Sequence, residues 1–337
     1  MPPTINFLAG DLGGTKSLLA IYRWDGKLTK IHLRRYLSSE WESPKKMLGD
    51  FIRNLPKAID YPSHGCLAVA GPVINGVCKL TNLGWEIEEK ELSKFIRLEK
   101  IELVNDFCVL IYGIPFLNPN QYVQIQSSQR KKSDFEVLAI LGAGTGLGIA
   151  RGVKTSNGIL ALPSEGGHSE FAPRTEREWQ LSLWLKSELN LNRLSIERIV
   201  SGTGLGHIAR WRLKQSDANC HPLSEIASNW RDNNQKYDLP ELASKAAKNG
   251  DPLMKDALNL WISAYGSVAG DLALQELCRA GLWIGGGTAS KHLQGISSKT
   301  FLQAMKRKGR FEQFLEELPV MALIDEEASL FSAACRA

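Results

Sequence analysis

The first residues with an evident chemical potential lie near the start of the chain, at Asp11-Leu12-Gly13-Gly14-Thr15. Glycine has no Cβ, so backbone N–H groups at Gly13 and Gly14 can approach phosphate oxygens closely, and Thr15 adds a hydroxyl donor. Asp11 would repel a phosphate unless a cation lay between them, which predicts that its carboxylate binds Mg²⁺ through water. The same residue types build ordinary tight hairpins, so the loop alone leaves that interpretation open.

A second segment offers similar donors, at Gly144, Thr145 and Gly146 within Gly142-Ala143-Gly144-Thr145-Gly146-Leu147-Gly148. The dinucleotide pattern GxGxxG does not fit here, because Leu147 or Ile149 stands at its last glycine. The residues that follow are apolar and resemble a strand, whereas the dinucleotide fingerprint requires a helix. We therefore predict a second phosphate-binding hairpin.

The opening loop also comes close to the phosphate-loop pattern GxxxxGK[ST], from Gly10 to Ser17, but Thr15 stands where the second glycine is required. That pattern needs a helix directly after the loop, and the apolar, β-leaning residues 17–24 predict a strand instead. The sequence therefore argues against a phosphate loop of this kind.

A third glycine-rich turn, Gly285-Gly286-Gly287, follows a short apolar stretch. Bare backbone at Gly286 and Gly287 would let a flat adenine ring lie against it. A flexible turn between a strand and a helix explains the same residues equally well, and both interpretations stay open.

These turns belong to a mixed α/β chain. Apolar runs predict strands at 5–9, 17–24, 28–33, 65–70, 101–104, 137–141, 147–153 and 282–284. Helical patterns cover 44–55, 88–95, 176–190, 239–248, 252–279 and 326–336. Asp25-Gly26 predicts a two-residue hairpin turn between the second and third strands. Asn105 and Asp106 lie at the end of the strand 101–104.

Composition narrows the function classes. The 337 residues, 43% hydrophobic and 23% charged, are ordinary for a globular protein and long enough for two domains. A formal net charge of +5 is too dilute for a nucleic-acid-binding protein. No apolar run approaches the ~20 residues that span a bilayer, and the N-terminus lacks the pattern of a signal peptide. We therefore expect a cytoplasmic protein that binds neither nucleic acid nor membrane.

Several motifs occur in an order that resembles the bacterial glucokinase family, within the superfamily of hexokinases and actin-like ATPases. They are Asp11-Leu-Gly-Gly-Thr15, Ala68-Val-Ala-Gly-Pro72, Thr81-Asn82-Leu-Gly-Trp85, Asn105-Asp106-Phe107, Gly142 to Gly148, Glu165-Gly-Gly-His168, Glu197-Arg198-Ile-Val-Ser201-Gly-Thr203-Gly-Leu205 and Gly285-Gly-Gly287. The sequence departs from the family's usual pattern at Ser164 and Thr203, where glycine and proline are frequent. Neither departure removes a hydrogen-bonding group.

The resemblance implies the actin-like ATPase (ribonuclease H-like) α/β fold, with two domains around a central cleft. It places the small domain at residues 1–115 plus 318–337 and the large domain at 116–317. It implies that ATP phosphorylates glucose to glucose 6-phosphate with Mg²⁺, that Asp106 is the general base and that Asp11 is the metal partner. The sugar ligands would be Asn105, Asp106, Glu165, His168 and Glu197. The nucleotide ligands would be Asp11, Gly13, Gly14, Thr15, Gly144, Thr145, Gly146, Gly286 and Gly287.

A second class of function shares the fold: a sugar-sensing regulator or a chaperone-type ATPase without the kinase chemistry. A repressor needs a DNA-binding motif, and we expect none, because the first phosphate loop begins by Asp11. A chaperone-type ATPase would hydrolyse ATP without sugar. The sequence leaves a homodimer, the strictness for glucose and the choice of ATP over polyphosphate open.

Overall fold

The computed structural model describes residues 4–80, 83–128, 136–156, 158–215, 221–230 and 237–337. The chain forms two compact units. The first consists of Met1–Gln121, Thr155–Pro163 and Asp325–Ala337, and the second of Tyr122–Lys154 and Ser164–Ile324. The domain boundaries predicted at residues 115 and 317 stay a prediction. Within the described ranges, no helix is both long and apolar enough to cross a membrane.

The elements follow the predicted order, with additions. The strands are β1 Ile5–Leu12, β2 Lys16–Trp24, β3 Leu28–Leu37, β4 His64–Val69, β5 Val73–Ile74, β6 Val77–Leu80, β7 Trp85–Glu88, β8 Lys100–Asn105, β9 Tyr122–Gln126, β10 Val137–Ala143, β11 Leu147–Thr155, β12 Gly158–Ser164, β13 Gly281–Gly285 and β14 Val320–Leu323. The helices are α1 Pro44–Arg53, α2 Glu89–Phe95, α3 Leu110–Gly113, α4 Glu176–Glu188, α5 Gly202–Leu213, α6 Ser224–Asn229, α7 Leu239–Lys248, α8 Pro252–Glu276, α9 Gly287–Lys291, α10 Leu293–Ile296, α11 Lys299–Lys306, α12 Glu312–Glu316 and α13 Ala328–Arg336.

The first unit is built on a five-stranded sheet in the order β3-β2-β1-β4-β8. The first three strands form an antiparallel meander, and β1, β4 and β8 run parallel. The predicted meander is confirmed, but its second turn has three residues rather than two, because Trp24 pairs with Leu28. Strands β5, β6 and β7 form a small separate sheet that the sequence did not predict.

The core of the first unit is apolar. Leu8, Leu19, Leu48 and Phe51 are fully buried in it. Trp85 is also buried, which agrees with a packing role for this residue of the Thr81–Trp85 motif. Thr81 and Asn82 of the same motif lie outside the described residues.

Five of the six strands of the second sheet lie in the second unit, in the order β11-β10-β13-β14-β9. Strands β10, β13 and β14 run parallel, while β11 and β9 pair antiparallel at either side. The long helix α8 lies in the core of this unit, and its Trp261 and Tyr265 are fully buried. Asp251 caps the start of α8 by accepting a hydrogen bond from the Met254 N–H, and Pro252 suits the first helical position.

Both glycine-rich loops are followed by strands. After Thr15 the chain continues as β2, and after Gly146 it continues as β11. This confirms that neither loop is a phosphate loop or dinucleotide fingerprint of the kind that opens a helix. Each loop is the tip of an antiparallel hairpin.

Candidate active site

The first hairpin, residues 13–15, is shaped by one buried serine. The Ser38 hydroxyl donates to the Gly13 carbonyl oxygen at 2.7 Å, and the Ser38 N–H donates to the Thr15 carbonyl oxygen at 2.9 Å. The Gly13 N–H closes the turn on the Lys16 carbonyl oxygen at 3.1 Å. Gly14 and Thr15 are exposed at the tip. The loop therefore has a defined shape while its outer residues stay accessible.

Asp11 and Asp106 lie at the same edge of the first sheet. Strands β1 and β8 both run parallel to β4 between them, so their carboxyl ends meet at one edge. Burial, and then the charge of Asp106, raise the pKa of Asp11 to about 7. Two carboxylates that repel each other in a partly desolvated place form a site that a divalent cation would stabilise. These residues therefore fit Mg²⁺.

The side chain of Asn105 holds Asp106 in place. Its Nδ2 donates to the Asp106 Oδ1 at 3.1 Å and to the Gly71 carbonyl oxygen at 3.3 Å. Its Oδ1 accepts from the N–H groups of Phe107 and Cys108, both at 3.0 Å. An amide side chain has two donor hydrogens and two lone pairs, so all four are used. Asn105 is thus a positioning residue for Asp106, and its predicted contact with sugar would require exchanging one of these bonds.

The second hairpin, residues 144–146, is held by residues far away in sequence. The Thr288 hydroxyl donates to the Ala143 carbonyl oxygen at 2.6 Å and the Gly202 N–H to the Gly144 carbonyl oxygen at 2.8 Å. The Thr203 hydroxyl donates to the Thr145 carbonyl oxygen at 3.0 Å. Three successive carbonyl groups are therefore tied to the starts of α5 and α9.

Glu197 supports the same hairpin. It lies in a short 3₁₀ helix, Ile196–Arg198, and its Oε2 accepts from the Leu147 N–H at 2.9 Å. A Cβ at Gly146 would lie 2.4 Å from this oxygen, so a larger residue there would push the Glu197 carboxylate from its place. Ser201 connects Glu197 to α5, because its hydroxyl donates to the Glu197 carbonyl oxygen and accepts from the Gly204 N–H. The predicted role of Glu197 toward sugar stays a prediction.

Glu165 and His168 form an accessible polar pair. They flank the 3₁₀ turn Gly166–His168, and the Glu165 Oε2 lies 3.8 Å from the His168 Nε2. Their side chains are 72% and 56% exposed, respectively, so both can accept a ligand. The Ile196 N–H donates to the Ser169 carbonyl oxygen at 2.8 Å, which holds this turn beside the helix of Glu197. The structure thus brings together the segments of three predicted sugar ligands.

A cavity of about 860 Å³ opens beside the second hairpin, within the second unit. Its lining includes Gly144, Thr145, Thr203, Ser244, Lys248, Gly287, Thr288, Lys291 and His292. Volumes of this size are typical of small-molecule sites. His292 is buried and its ring lies 5.2 Å from that of Trp261. Burial, with Lys248 and Lys291 nearby, lowers the pKa of His292 to about 4, so the ring is neutral at pH 7.

The three-glycine turn reaches this cavity at one position. Gly286 has φ +79°, and a Cβ there would lie 2.8 Å from the Ala143 carbonyl oxygen. Its small size is therefore required by packing against the second hairpin. A Cβ at Gly287 would meet open space, and Gly287 lines the cavity at the start of α9. The segment is therefore a strand-to-helix turn, and its predicted contact with adenine stays a prediction.

Several residues that hold the two hairpins were not predictable from the sequence. Ser38, Thr288 and Tyr265, whose hydroxyl accepts from the Ala143 N–H at 3.2 Å, carry no local motif. Their distance from the loops along the chain concealed their role. Thr203 does carry a signal in the sequence, because it departs from the usual pattern of the motif from Glu197 to Leu205.

A sequence profile described as glucokinase matches residues 8–337. The chain belongs to the glucokinase family. A glucokinase of Nostoc sp. is 36% identical over 337 aligned positions, which cover 97% of each chain. A crystal structure of glucokinase from an Antarctic psychrotroph has a TM-score of 0.82 and 27% identity, covering 98% of both chains. A glucokinase of Streptomyces griseus, crystallised with glucose and AMPPNP, shares the fold at 18% identity and a TM-score of 0.62.

The glucokinase family assignment confirms the predicted fold and reaction class. The fold is that of the actin-like ATPases, and the chain is a kinase that transfers a phosphoryl group from ATP to glucose. The family match extends over both glycine hairpins, Asp106 and the segments of Glu165 and Glu197. The family assignment therefore favours the kinase over a regulator or a chaperone-type ATPase.

Proposed function

We propose that this glucokinase uses Asp106 as the general base that takes the proton from the glucose 6-hydroxyl as the hydroxyl attacks the γ-phosphoryl group of ATP. The arrangement of Asn105 and Asp106 carries the proposal. A neutral hydroxyl is a poor nucleophile, and a carboxylate within hydrogen-bond reach can accept its proton as the bond to phosphorus forms. The Asn105 amide donates one hydrogen bond to the Asp106 carboxylate, and three further bonds to backbone groups hold the amide itself in place. A fixed base loses little entropy in reaching the reactive geometry.

The sugar would be bound by Asn105, Glu165, His168 and Glu197 together with Asp106. Ionised carboxylates only accept hydrogen bonds, so Glu165 and Glu197 favour a ligand with several hydroxyl groups. The exposure of Glu165 and His168 leaves both free to turn toward such a ligand. Glu197 has one carboxylate oxygen engaged by the Leu147 N–H, so its other oxygen would face the sugar.

Mg²⁺ fits the carboxylates of Asp11 and Asp106, with Asp11 as the partner of the metal through water. When bound, the ion would neutralise charge on the transferred phosphoryl group and on the nucleotide. The N–H groups of Gly14 and Gly146 and the hydroxyls of Thr15 and Thr145 would hold phosphate oxygens. Gly13 and Gly144 would shape the two loops, because their N–H groups already donate to the carbonyl oxygens of Lys16 and Gly146. The adenosine part would occupy the cavity lined by Gly287. Gly286 would allow the turn to pack closely against the Ala143 carbonyl group of the second hairpin.

A coupled assay of ADP release tests this proposal, with glucose, mannose, fructose and 6-deoxyglucose as acceptors and ATP or polyphosphate as donor. We expect glucose-dependent turnover with ATP. We expect no turnover with 6-deoxyglucose, because it lacks the accepting hydroxyl. Release of ADP at an equal rate without any sugar would contradict the proposal and favour simple ATP hydrolysis. Turnover with polyphosphate at the rate seen with ATP would contradict ATP as the preferred donor.

A cytoplasmic location stays a prediction from the sequence, and the sequence leaves a homodimer open. Sedimentation velocity at several protein concentrations distinguishes a species of 37.3 kDa from one of twice that mass.

A further inference from the structure

The tip of the second hairpin presents two peptide N–H groups with a common orientation. In a trans peptide, the N–H of one residue points opposite to the carbonyl of the residue before it. The Gly144 carbonyl is tied to the Gly202 N–H, and the Thr145 carbonyl is tied to the Thr203 hydroxyl. The N–H groups of Thr145 and Gly146 therefore both point away from the start of α5.

Neither N–H group donates to another part of the protein within the described residues, whereas the Gly144 N–H is used on the Gly146 carbonyl oxygen at 2.8 Å. Thr145 is exposed and Gly146 is partly exposed. Two aligned, accessible N–H groups form an anion-binding concavity of the kind that successive backbone amides make around phosphates.

We propose that Thr203 is a positioning residue for nucleotide phosphate: its hydroxyl fixes the Thr145–Gly146 peptide so that the Gly146 N–H faces a phosphate oxygen. The inference rests on the proposed function of this hairpin. Gly202 acts through its backbone, which every residue type possesses, but the bond to the Thr145 carbonyl depends on the side chain of Thr203. Without that hydroxyl the peptide can rotate, and the donor is no longer held in place before the nucleotide binds.

The bond from Thr203 also connects the hairpin to a helix. The threonine supplies a hydrogen bond of 3.0 Å to the hairpin from the second residue of α5. The position of the hairpin is thereby coupled to α5, whose start is itself fixed by Ser201 and Glu197.

The test compares Thr203→Val, which keeps the shape and removes the hydroxyl, with Thr203→Ser, which keeps the hydroxyl. We expect Thr203→Val to raise the KM for ATP and the Kd for ATP and ADP by about two- to tenfold, the range for one hydrogen bond. The KM for glucose stays unchanged, and Thr203→Ser restores nucleotide affinity. Thr155→Val is the matched control, since its hydroxyl also donates to a carbonyl oxygen in a hairpin, that of Gly158 at 3.0 Å.

Adenosine, which has no phosphate, separates positioning from direct contact, because Thr203 also lines the cavity. We expect calorimetry to show the same adenosine affinity in wild type and Thr203→Val. An equal loss for adenosine and ADP would overturn the proposal, and so would unchanged ADP affinity. The melting temperature of Thr203→Val shows whether the variant is folded. If it is not, Thr203→Ala is used for the same comparison. Absence of glucose-dependent turnover in the wild type would contradict the proposed function instead, which keeps the two failures distinct.

Discussion

The two glycine hairpins look alike in sequence but are supported in different ways. The first is shaped by one residue, Ser38, which directly follows the third strand of the same meander and bonds to both ends of the turn. The second is shaped by Glu197, Gly202, Thr203 and Thr288, which come from three segments much later in the chain. Similar loops can therefore arise from local support in one case and from tertiary support in the other.

The two regions also differ in charge. Beside the first hairpin, two carboxylates lie together and the pKa of Asp11 is raised to about 7. Beside the second, the buried His292 is neutral, with a pKa lowered to about 4. We infer that the first hairpin serves metal and proton transfer and the second serves mainly to bind uncharged and phosphate parts of the nucleotide.

Asp106→Asn should have the largest effect, because it removes the base from the region that we assign to chemistry. We expect kcat to fall by about 10²–10⁴-fold, or roughly 3–5 kcal/mol in the barrier, with little change in the KM for glucose. Steady-state kinetics measure both. Asp25→Asn, in an exposed turn, is the control. A change in KM for glucose without a change in kcat would assign Asp106 to binding and would break the comparison.

Asp11→Asn should lower kcat by about 10²-fold through loss of the Mg²⁺ partner, while stabilising the nucleotide-free protein. Because folding raises the pKa of this carboxyl, the folded state favours the protonated form, and stability falls as pH rises from about 4 to 7. The asparagine side chain of the variant does not ionise, so its stability should not fall in this way between about pH 4 and 7. We expect it to be more stable than wild type by about 2–4 kcal/mol at pH 8 and equal at pH 4.

Thermal melting in EDTA at the two pH values provides this measurement, again with Asp25→Asn as the control. Equal melting temperatures of Asp11→Asn and wild type at pH 8 would show that the Asp11 carboxylate is not strained in the metal-free protein. This result would contradict the raised pKa of Asp11, on which the contrast in charge between the two hairpin regions depends.

His292 should give the opposite pH dependence. Its folded pKa lies below the ordinary value of 6.5, so the unfolded chain takes up the proton first and stability falls as pH drops from about 6.5 to 4. Between pH 7 and 5 this costs about 2 kcal/mol. His292→Gln should flatten the decline in melting temperature, whereas His64→Gln, at a half-exposed position, should not. A parallel decline in wild type and His292→Gln would contradict the prediction.

Ser38→Ala should have the smallest effect and tests how the first hairpin is supported. The buried hydroxyl bonds to the Gly13 carbonyl oxygen and to the Ser17 hydroxyl, so its loss should cost about 1–2 kcal/mol in unfolding free energy. The KM for ATP should rise no more than about twofold, because the Ser38 N–H still holds Thr15. Ser93→Ala, which removes a hydroxyl bonded within α2, is the control. A tenfold rise in KM would show that the two hairpins depend equally on one hydroxyl.

Much of the fold followed from local pattern. The strands β1, β2, β4, β8, β10, β11 and β13 were predicted within a few residues, because each is an apolar run bounded by glycine or polar residues. Helix α7 was predicted with the same bounds, since Asp238 and Pro240 mark its start. The sequence did not predict the strands β5 to β7, β9, β12 and β14, because their pairing depends on partners and not on their own composition.

The candidate site was predictable in residues but not in geometry. Motifs pointed to Asn105, Asp106, Glu165, His168 and Glu197. They did not show that the Asn105 amide is fully hydrogen-bonded within the protein, with one bond to Asp106. They also did not show that the Glu197 carboxylate accepts a hydrogen bond from the Leu147 N–H of the second hairpin. The bond from Leu147 to Glu197 joins residues 50 positions apart, and the Asn105 bonds depend on how its side chain is turned in the folded chain. Sequence types alone cannot distinguish a ligand from the group that positions it.

The chain passes between the two units more than once, and this has a consequence for biosynthesis. The last helix, α13, belongs to the first unit, where Phe331 packs edge-on against Tyr22 and Arg336 bonds to Glu102. The ribosome therefore completes the whole second unit before it delivers the segment that finishes the first. Until then the opening sheet lacks part of its apolar cover, and the nascent enzyme carries an unfinished core that a chaperone could shelter.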